Sequence, residues 1–169
     1  MKTMDYSNVI GKGSFSTAYL QSDNKTVVLK STDYIKECMS LGWFPNTIYF
    51  PKIERLEHGV YKMKHYPKVK SLVNCLKIKQ YLIYKQLRNL NIKHNTRDCD
   101  LLDAWRDVFK SINNKTVRSA LIQGIEACSN YGTDICFEIS PRNVAVSPSG
   151  NLILLDCFFI KSQLKKQRT

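Results

Sequence analysis

The hydrophobic period of this chain changes once, beside Pro67. Before that point short apolar runs alternate with polar residues or cluster in β-branched ones, and Gly, Asn, Asp and Pro punctuate them. After it, apolar residues return at steps of three and four. A period of two puts side chains on alternate faces of a strand, and a period near 3.6 lines one side of a helix. The chain therefore reads as α+β, with a strand-rich part over residues 1–66 and a helix-rich part over 67–169.

In the first part, YSNVIGKG reads as a strand running into a glycine turn, and FSTAYLQ as its partner. A turn at Ser22-Asp23-Asn24 leads into TVVLKS, which is rich in β-formers. Tyr34–Leu41 suits a short helix closed by Gly42 and Pro45. FPKIERLE and GVYKMKHY read as two strands joined around His58-Gly59. In the second part, Val69, Leu72, Val73, Leu76, Ile83, Leu87 and Leu90 predict one helix of about five turns. Leu101, Trp105, Val108, Phe109 and Ile112 predict another, with Asp98 or Asp100 as its N-cap. Val117, Leu121, Ile125 and Cys128 predict a third, ending near Asn130-Tyr131-Gly132. NVAVS and NLILLD, on either side of Pro148-Ser149-Gly150, read as a hairpin.

With 169 residues, 43% of them hydrophobic, the chain can bury a core and suits one domain or two small lobes sharing a cleft. The longest apolar run, 152–160, is broken by Asp156, and MKTMDYSN lacks the apolar centre of a signal peptide. The expectation is a cytoplasmic protein with no membrane partner. Cys38, Cys75, Cys99, Cys128, Cys136 and Cys157 show no C-x-x-C spacing, and His58, His65 and His94 do not cluster with them. That argues against zinc and for reduced, mostly buried thiols.

The net charge of +12 is unevenly spread. From Lys62 to Arg97 there are ten Lys and Arg and no acid, and Lys161, Lys165, Lys166 and Arg168 follow near the end. Such blocks attract polyanions, or simply keep a helix face solvated. No helix-turn-helix, zinc-finger or aromatic RNA-binding pattern accompanies them. An acidic protein is the expected partner, with nucleic acid second.

Three separated signals carry chemistry. The first is Ile10-Gly11-Lys12-Gly13-Ser14-Phe15-Ser16 between two strands. Glycines let a backbone approach phosphates and offer N–H donors. A dinucleotide fold needs a helix directly after such a loop, and a Walker A loop ends in Gly-Lys-Ser/Thr; neither is present. The second is Val27-Val28-Leu29-Lys30, a lysine ending an apolar strand, which could grip phosphates if Glu37 held it. The third is Glu138-Ile139-Ser140-Pro141-Arg142-Asn143, then a hairpin, then Leu154-Leu155-Asp156. An acid, an Asn five residues on and an Asp thirteen beyond that is the spacing of a kinase catalytic loop and metal-binding segment. Asn143 and Asp156 would offer oxygens to Mg2+, and Glu138 would orient and deprotonate an acceptor hydroxyl.

On GKGSFSTAY, VVLK, FPKIERLEHGVYKMKHY and FEISPRNVAVSPSGNLILLDCFF, the chain resembles the protein-kinase-like superfamily. Within it, the chain is most similar to the small protein kinases made early in infection by podoviral bacteriophages. The resemblance covers roughly residues 6–160. It implies a minimal two-lobed fold with a β-rich N-lobe over 1–66 and a truncated helical C-lobe over 67–169. It implies ATP in the cleft with Mg2+, covered by Gly11, Gly13 and Ser14, gripped by Lys30 that Glu37 positions, with adenine at the backbone of Lys64, His65 and Tyr66. It also implies Ser/Thr phosphorylation of host proteins in the host cytoplasm, interfering with transcription or defence. The sequence departs from the family at Glu138, where kinases carry Asp, and at Cys157-Phe158 after Asp156. Only 13 residues follow Asp156, too few for peptide-docking helices. A pseudokinase binding module, a basic nucleic-acid-binding protein and a small-molecule phosphotransferase are the alternatives.

Overall fold

The computed structural model describes residues 4–94 and 101–166. The possible caps Asp98 and Asp100, together with Arg97, Cys99 and Arg168, lie outside the described residues.

Five strands form the first sheet: β1 Val9–Lys12, β2 Ser16–Leu20, β3 Thr26–Ser31, β4 Ile53–Glu57 and β5 Val60–Lys64, in the order β1-β2-β3-β5-β4. Every neighbouring pair is antiparallel. Asp23 sets the β2–β3 turn, its Oδ1 accepting from the backbone N–H of Lys25 and of Thr26, both at 2.8 Å. Gly59, at φ 71°, makes the β4–β5 turn, where a side chain would be strained and would stand 3.3 Å from Ser31 O.

The two faces of β3 have different neighbours. Val27 and Leu29 stand opposite Leu20 and Ala18 on β2, and opposite Met63 and Tyr61 on β5. Val27, Leu29 and Tyr61 belong to the main core with Ile35 and Met39 of helix α1 (Tyr34–Ser40), and half-buried Leu20, Ala18 and Met63 pack against it. Val28 and Lys30 stand opposite Tyr19 and Thr17 on the other face. There Tyr6 covers the sheet, packing edge-on against Tyr19 at 5.1 Å. Helix α1 starts at Asp33, whose Oδ1 accepts from the Ile35 N–H at 2.9 Å, an ordinary N-cap.

Beyond β5 the chain forms α2 Leu72–Cys75, α3 Ile78–Lys93, α4 Leu101–Lys110 and α5 Lys115–Cys128, followed by a single 3-10 turn at Ser129–Tyr131. The one long helix expected from Val69 to Leu90 is divided. Leu76 is extended (φ −81°, ψ 143°), because the chain there docks on the later hairpin: Lys77 N–H donates to Gly150 O at 2.9 Å. The backbone hydrogen bond gained outside the helix offsets the one lost within it.

The hairpin is β7 Val144–Val146 and β8 Leu152–Leu154, as the sequence predicts. Around it lies a second pair, β6 Ile135–Phe137 with β9 Phe158–Ile160, and the tail continues into α6 Lys161–Lys166. Under this pair runs a ladder of rings. Phe44 packs on Phe50 (4.9 Å), Phe137 on Phe158 (5.5 Å), Phe109 on Phe137 (5.0 Å) and Trp105 on Phe137 (5.3 Å). Gly124 on α5 admits them closely: a Cβ there would sit 3.1 Å from Phe50 and 3.3 Å from both Phe44 and Phe158. The architecture is α+β, a β-rich N-terminal sheet followed by a helical part, and one apolar cluster from Val27 to Ile160 joins them. No helix among the described residues is long and apolar enough to cross a membrane.

Candidate active site

The loop from Glu138 to Asn143 links β6 to β7, and Asp156 lies between β8 and β9. Backbone bonds hold the two segments together. Asn143 O accepts from the N–H of Leu155 (2.9 Å) and of Asp156 (3.2 Å), and Glu138 N–H donates to Cys157 O (2.8 Å). Asn143 Nδ2 donates back to Glu138 O at 3.3 Å, which leaves Oδ1 as the free end of that amide. Glu138, Asn143 and Asp156 are therefore assembled within one bonded loop pair.

Helix α3 fixes the loop from below. Asn91, buried, donates from Nδ2 to Phe137 O at 2.7 Å and accepts at Oδ1 from Ile139 N–H at 3.3 Å. Arg88 Nη1 donates to Ile139 O at 2.6 Å. The apolar spacing of α3 gave no sign of Asn91. A polar residue on a buried helix face is the signal that could have found it.

Lys36 was likewise missed. It lies on α1, only 5% exposed, and its Nζ donates to Leu155 O (2.8 Å) and Asp156 Oδ1 (3.0 Å), with Asp33 Oδ2 at 3.9 Å. Burial works against its charge, but Asp156 and Asp33 outweigh burial and raise its pKa. Burial raises the Asp33 carboxyl to about 6, against the opposing pull of Lys36. The Asp156 side chain keeps 59% of its surface in solvent.

Lys30 is placed elsewhere. It stands on the sheet face away from α1, exposed, with Nζ 3.8 Å from the centre of the Tyr6 ring. Glu37 does not hold it: Glu37 Oε1 lies 3.6 Å from Arg55 Nη1. The physical reason is strand parity. With Val27, Val28 and Leu29 all buried, the apolar run does not tell which face meets the helix, and one residue decides it. The next position on the helix-side face is Ser31, whose Oγ bonds Ser16 Oγ at 2.6 Å and accepts from Asp33 N–H at 3.1 Å.

The glycine loop closes tightly, Gly13 N–H donating to Ser16 O at 2.8 Å, with Ser14 exposed. Neither loop glycine has positive φ. A Cβ on Gly11 would meet Ala18 at 3.8 Å and one on Gly13 would meet Ser16 O at 3.9 Å, so internal packing demands glycine at neither. At the expected hinge, His65 N–H donates to Lys25 O at 2.8 Å and is not free for an adenine ring. Lys64 is exposed and Tyr66 half-buried.

Two cavities flank these residues. One of about 410 Å3 is lined by Glu138 with Arg88, Asn91 and Trp105. A wider groove of about 1030 Å3 runs behind β5, with Lys25, Lys52, Lys62 and Lys64 around Phe50, Ile53 and Met63.

Asn143 and Asp156 offer one amide and one carboxylate oxygen set, and the described residues hold no cluster of three or more His, Cys, Asp or Glu. That donor set is too small to cage a free ion. It fits Mg2+, which is held by one or two carboxylates when substrate phosphates supply further oxygens. Four thiols are unsuited to nucleophilic work: burial pushes Cys38 up to about 12 and Cys136 to about 11, and raises Cys128 and Cys157 too.

No family model matches this chain, and no curated protein matches it. Among solved structures, it is similar to an aminoglycoside phosphotransferase, APH(2'')-IIa, in a ternary complex with streptomycin and ATP. The likeness has 14% identity and a TM-score of 0.42, over 93% of this chain and 67% of that one. It carries nothing about the activity of this chain.

Proposed function

We propose that the chain is an ATP- and Mg2+-dependent phosphotransferase of the protein-kinase type. The observation that carries this is the pair of hydrogen bonds that Asn143 O accepts from the N–H groups of Leu155 and Asp156, which joins the two segments bearing the amide and the carboxylate of the third sequence signal. Asn143 Oδ1 and the solvent-facing oxygen of Asp156 would hold the metal. When bound, Mg2+ neutralises phosphate charge during transfer. Gly11 and Gly13 present no side chain toward a phosphate above the sheet edge, although the Gly13 N–H is taken by Ser16 O. Glu138, exposed at the mouth of the smaller cavity, would orient the acceptor hydroxyl and take its proton. Buried Asn91 and half-buried Arg88 keep that acid in register by bonding the backbone on either side of it.

We read the acceptor as a Ser or Thr hydroxyl on an acidic host protein in the host cytoplasm, as for the phage kinases the sequence resembles. Helix α3 supports a macromolecular partner. Ile78 (80% exposed), Leu82 (58%) and Ile92 (67%) stand in solvent near the exposed Lys79, Lys85 and Lys93. An apolar stripe among lysines fits an acidic, amphipathic surface. Nucleic acid is the second choice for the same charge.

The second reading is a pseudokinase that binds a host protein without transferring phosphate. It is favoured by the displaced Lys30, the occupied His65 N–H and the longer arm of Glu138. Incubation with γ-labelled ATP and Mg2+, with and without bacterial extract, separates the two. Label transfer that is lost in Asp156→Asn is expected. Folded protein that labels neither itself nor any extract protein refutes the enzyme.

A further inference from the structure

We infer that Lys36, not Lys30, is the cation that receives the phosphates of a bound nucleotide, so that the phosphate lysine of this protein is carried by helix α1 instead of strand β3. The inference rests on the nucleotide reading above. Three observations support it.

The first is position. Lys36 Nζ is 3.0 Å from Asp156 Oδ1, so a phosphate joined to that carboxylate through a divalent cation would lie beside the ammonium group. Lys30 points away from it, over Tyr6 on the opposite sheet face.

The second is compensation along the chain. The helix-side position at the end of β3 is Ser31, too short to reach the cleft. One helical turn supplies both replacements: Lys36 is the cation and Asp33, three residues earlier, is the carboxylate beside it. Asp33 is tied through Ser31 Oγ to Ser16 at the foot of the glycine loop. The loop and the lysine are thereby linked by hydrogen bonds.

The third is charge. One ammonium faces two carboxylates, Asp33 and Asp156, so the cluster is short of positive charge. A structural ion pair gains most when both partners are enclosed and fully bonded. Here the lysine is enclosed while Asp156 stays open to solvent. The divalent cation of a bound nucleotide would supply positive charge at Asp156, and its net-negative phosphates would give the lysine an anion to bond.

The direct test uses the wild-type full chain, so that folding of a variant is not at issue. An acyl phosphate derivative of ATP is added with Mg2+. A lysine amine next to the phosphates attacks the acyl carbon, forms an amide and expels ATP, and peptide mass spectrometry locates the adduct. The adduct is expected on Lys36 and is suppressed by excess ATP. Nucleotide binding seen by thermal shift without an ATP-protected adduct on Lys36 overturns the inference and leaves the nucleotide reading standing. No nucleotide binding at all overturns both. In parallel, Lys36→Met should weaken ATP binding about tenfold or more, the worth of a hydrogen bond to a charged group. Lys36→Arg should restore part of that affinity, and Lys30→Ala should leave it within about twofold. If Lys30→Ala is the damaging variant, the assignment is wrong.

Discussion

Asp33→Asn tests whether a buried carboxylate beside Lys36 is held at the expense of stability. In the folded protein burial lifts the Asp33 carboxyl from 3.8 to about 6. A raised carboxylate pKa means that the folded state binds the proton more tightly than the unfolded state does. Stability from this group is complete below the unfolded value and is lost as pH rises through the folded one. A shift of about two units corresponds to about 3 kcal/mol, surrendered between roughly pH 4 and pH 7. Asparagine keeps the shape and the N-cap acceptor but does not titrate. Urea unfolding of both proteins at half-unit pH steps gives the assay. Asp33→Asn should gain on the wild type by about 3 kcal/mol from pH 4 to pH 7, with the midpoint of the gain about halfway between the unfolded and folded pKa and the plateau beginning near the folded one. Adding Lys36→Met to the wild type should move that midpoint to higher pH, because Lys36 pulls the Asp33 pKa down. A difference curve flat to about 0.5 kcal/mol would refute the reasoning.

Gly124→Ala should destabilise by about 1–3 kcal/mol in urea, because its methyl group would enter the rings of Phe44, Phe50 and Phe158. Asn91→Leu should cost about 1–3 kcal/mol for each of the two backbone groups it orphans, Phe137 O and Ile139 N–H, and should speed proteolysis within 138–143. Lys30→Ala should lose no more than the cation–π contact with Tyr6, about 0.5–1 kcal/mol by thermal melting. Under native alkylation followed by peptide mapping, exposed Cys75 should react well before buried Cys38, Cys128 and Cys157.

The strands of the N-terminal sheet and two of their hairpins were readable because turns at Asp23 and Gly59 announce themselves by residue type. The grouping of Glu138, Asn143 and Asp156 was readable because they belong to one local unit, β6 to β9. What stayed hidden was long-range or too short. β6 and β9 are three residues each, below the length at which alternation shows. The helix break at Leu76 depends on Gly150, which is distant in sequence. Lys30 was assigned to the wrong face because three consecutive buried residues erase the period that would orient β3. Lys36 was passed over because a lysine between Ile35 and Cys38 reads as the solvent side of a helix. Only the partner contributed by Asp156, 120 residues away, makes its burial tolerable.

The same connections constrain how Asp156 can move. Its own amide and that of Leu155 are bonded to Asn143 O, the Cys157 thiol is buried against the same carbonyl, and Phe158 is clamped in the ring ladder. Turning this segment over would require opening β6 from β9 and exposing the aromatic rungs together. Amide exchange at Leu155 and Asp156 should therefore proceed only through global opening, at the slowest rate in the molecule. A segment wired in this way has no cheap second conformation.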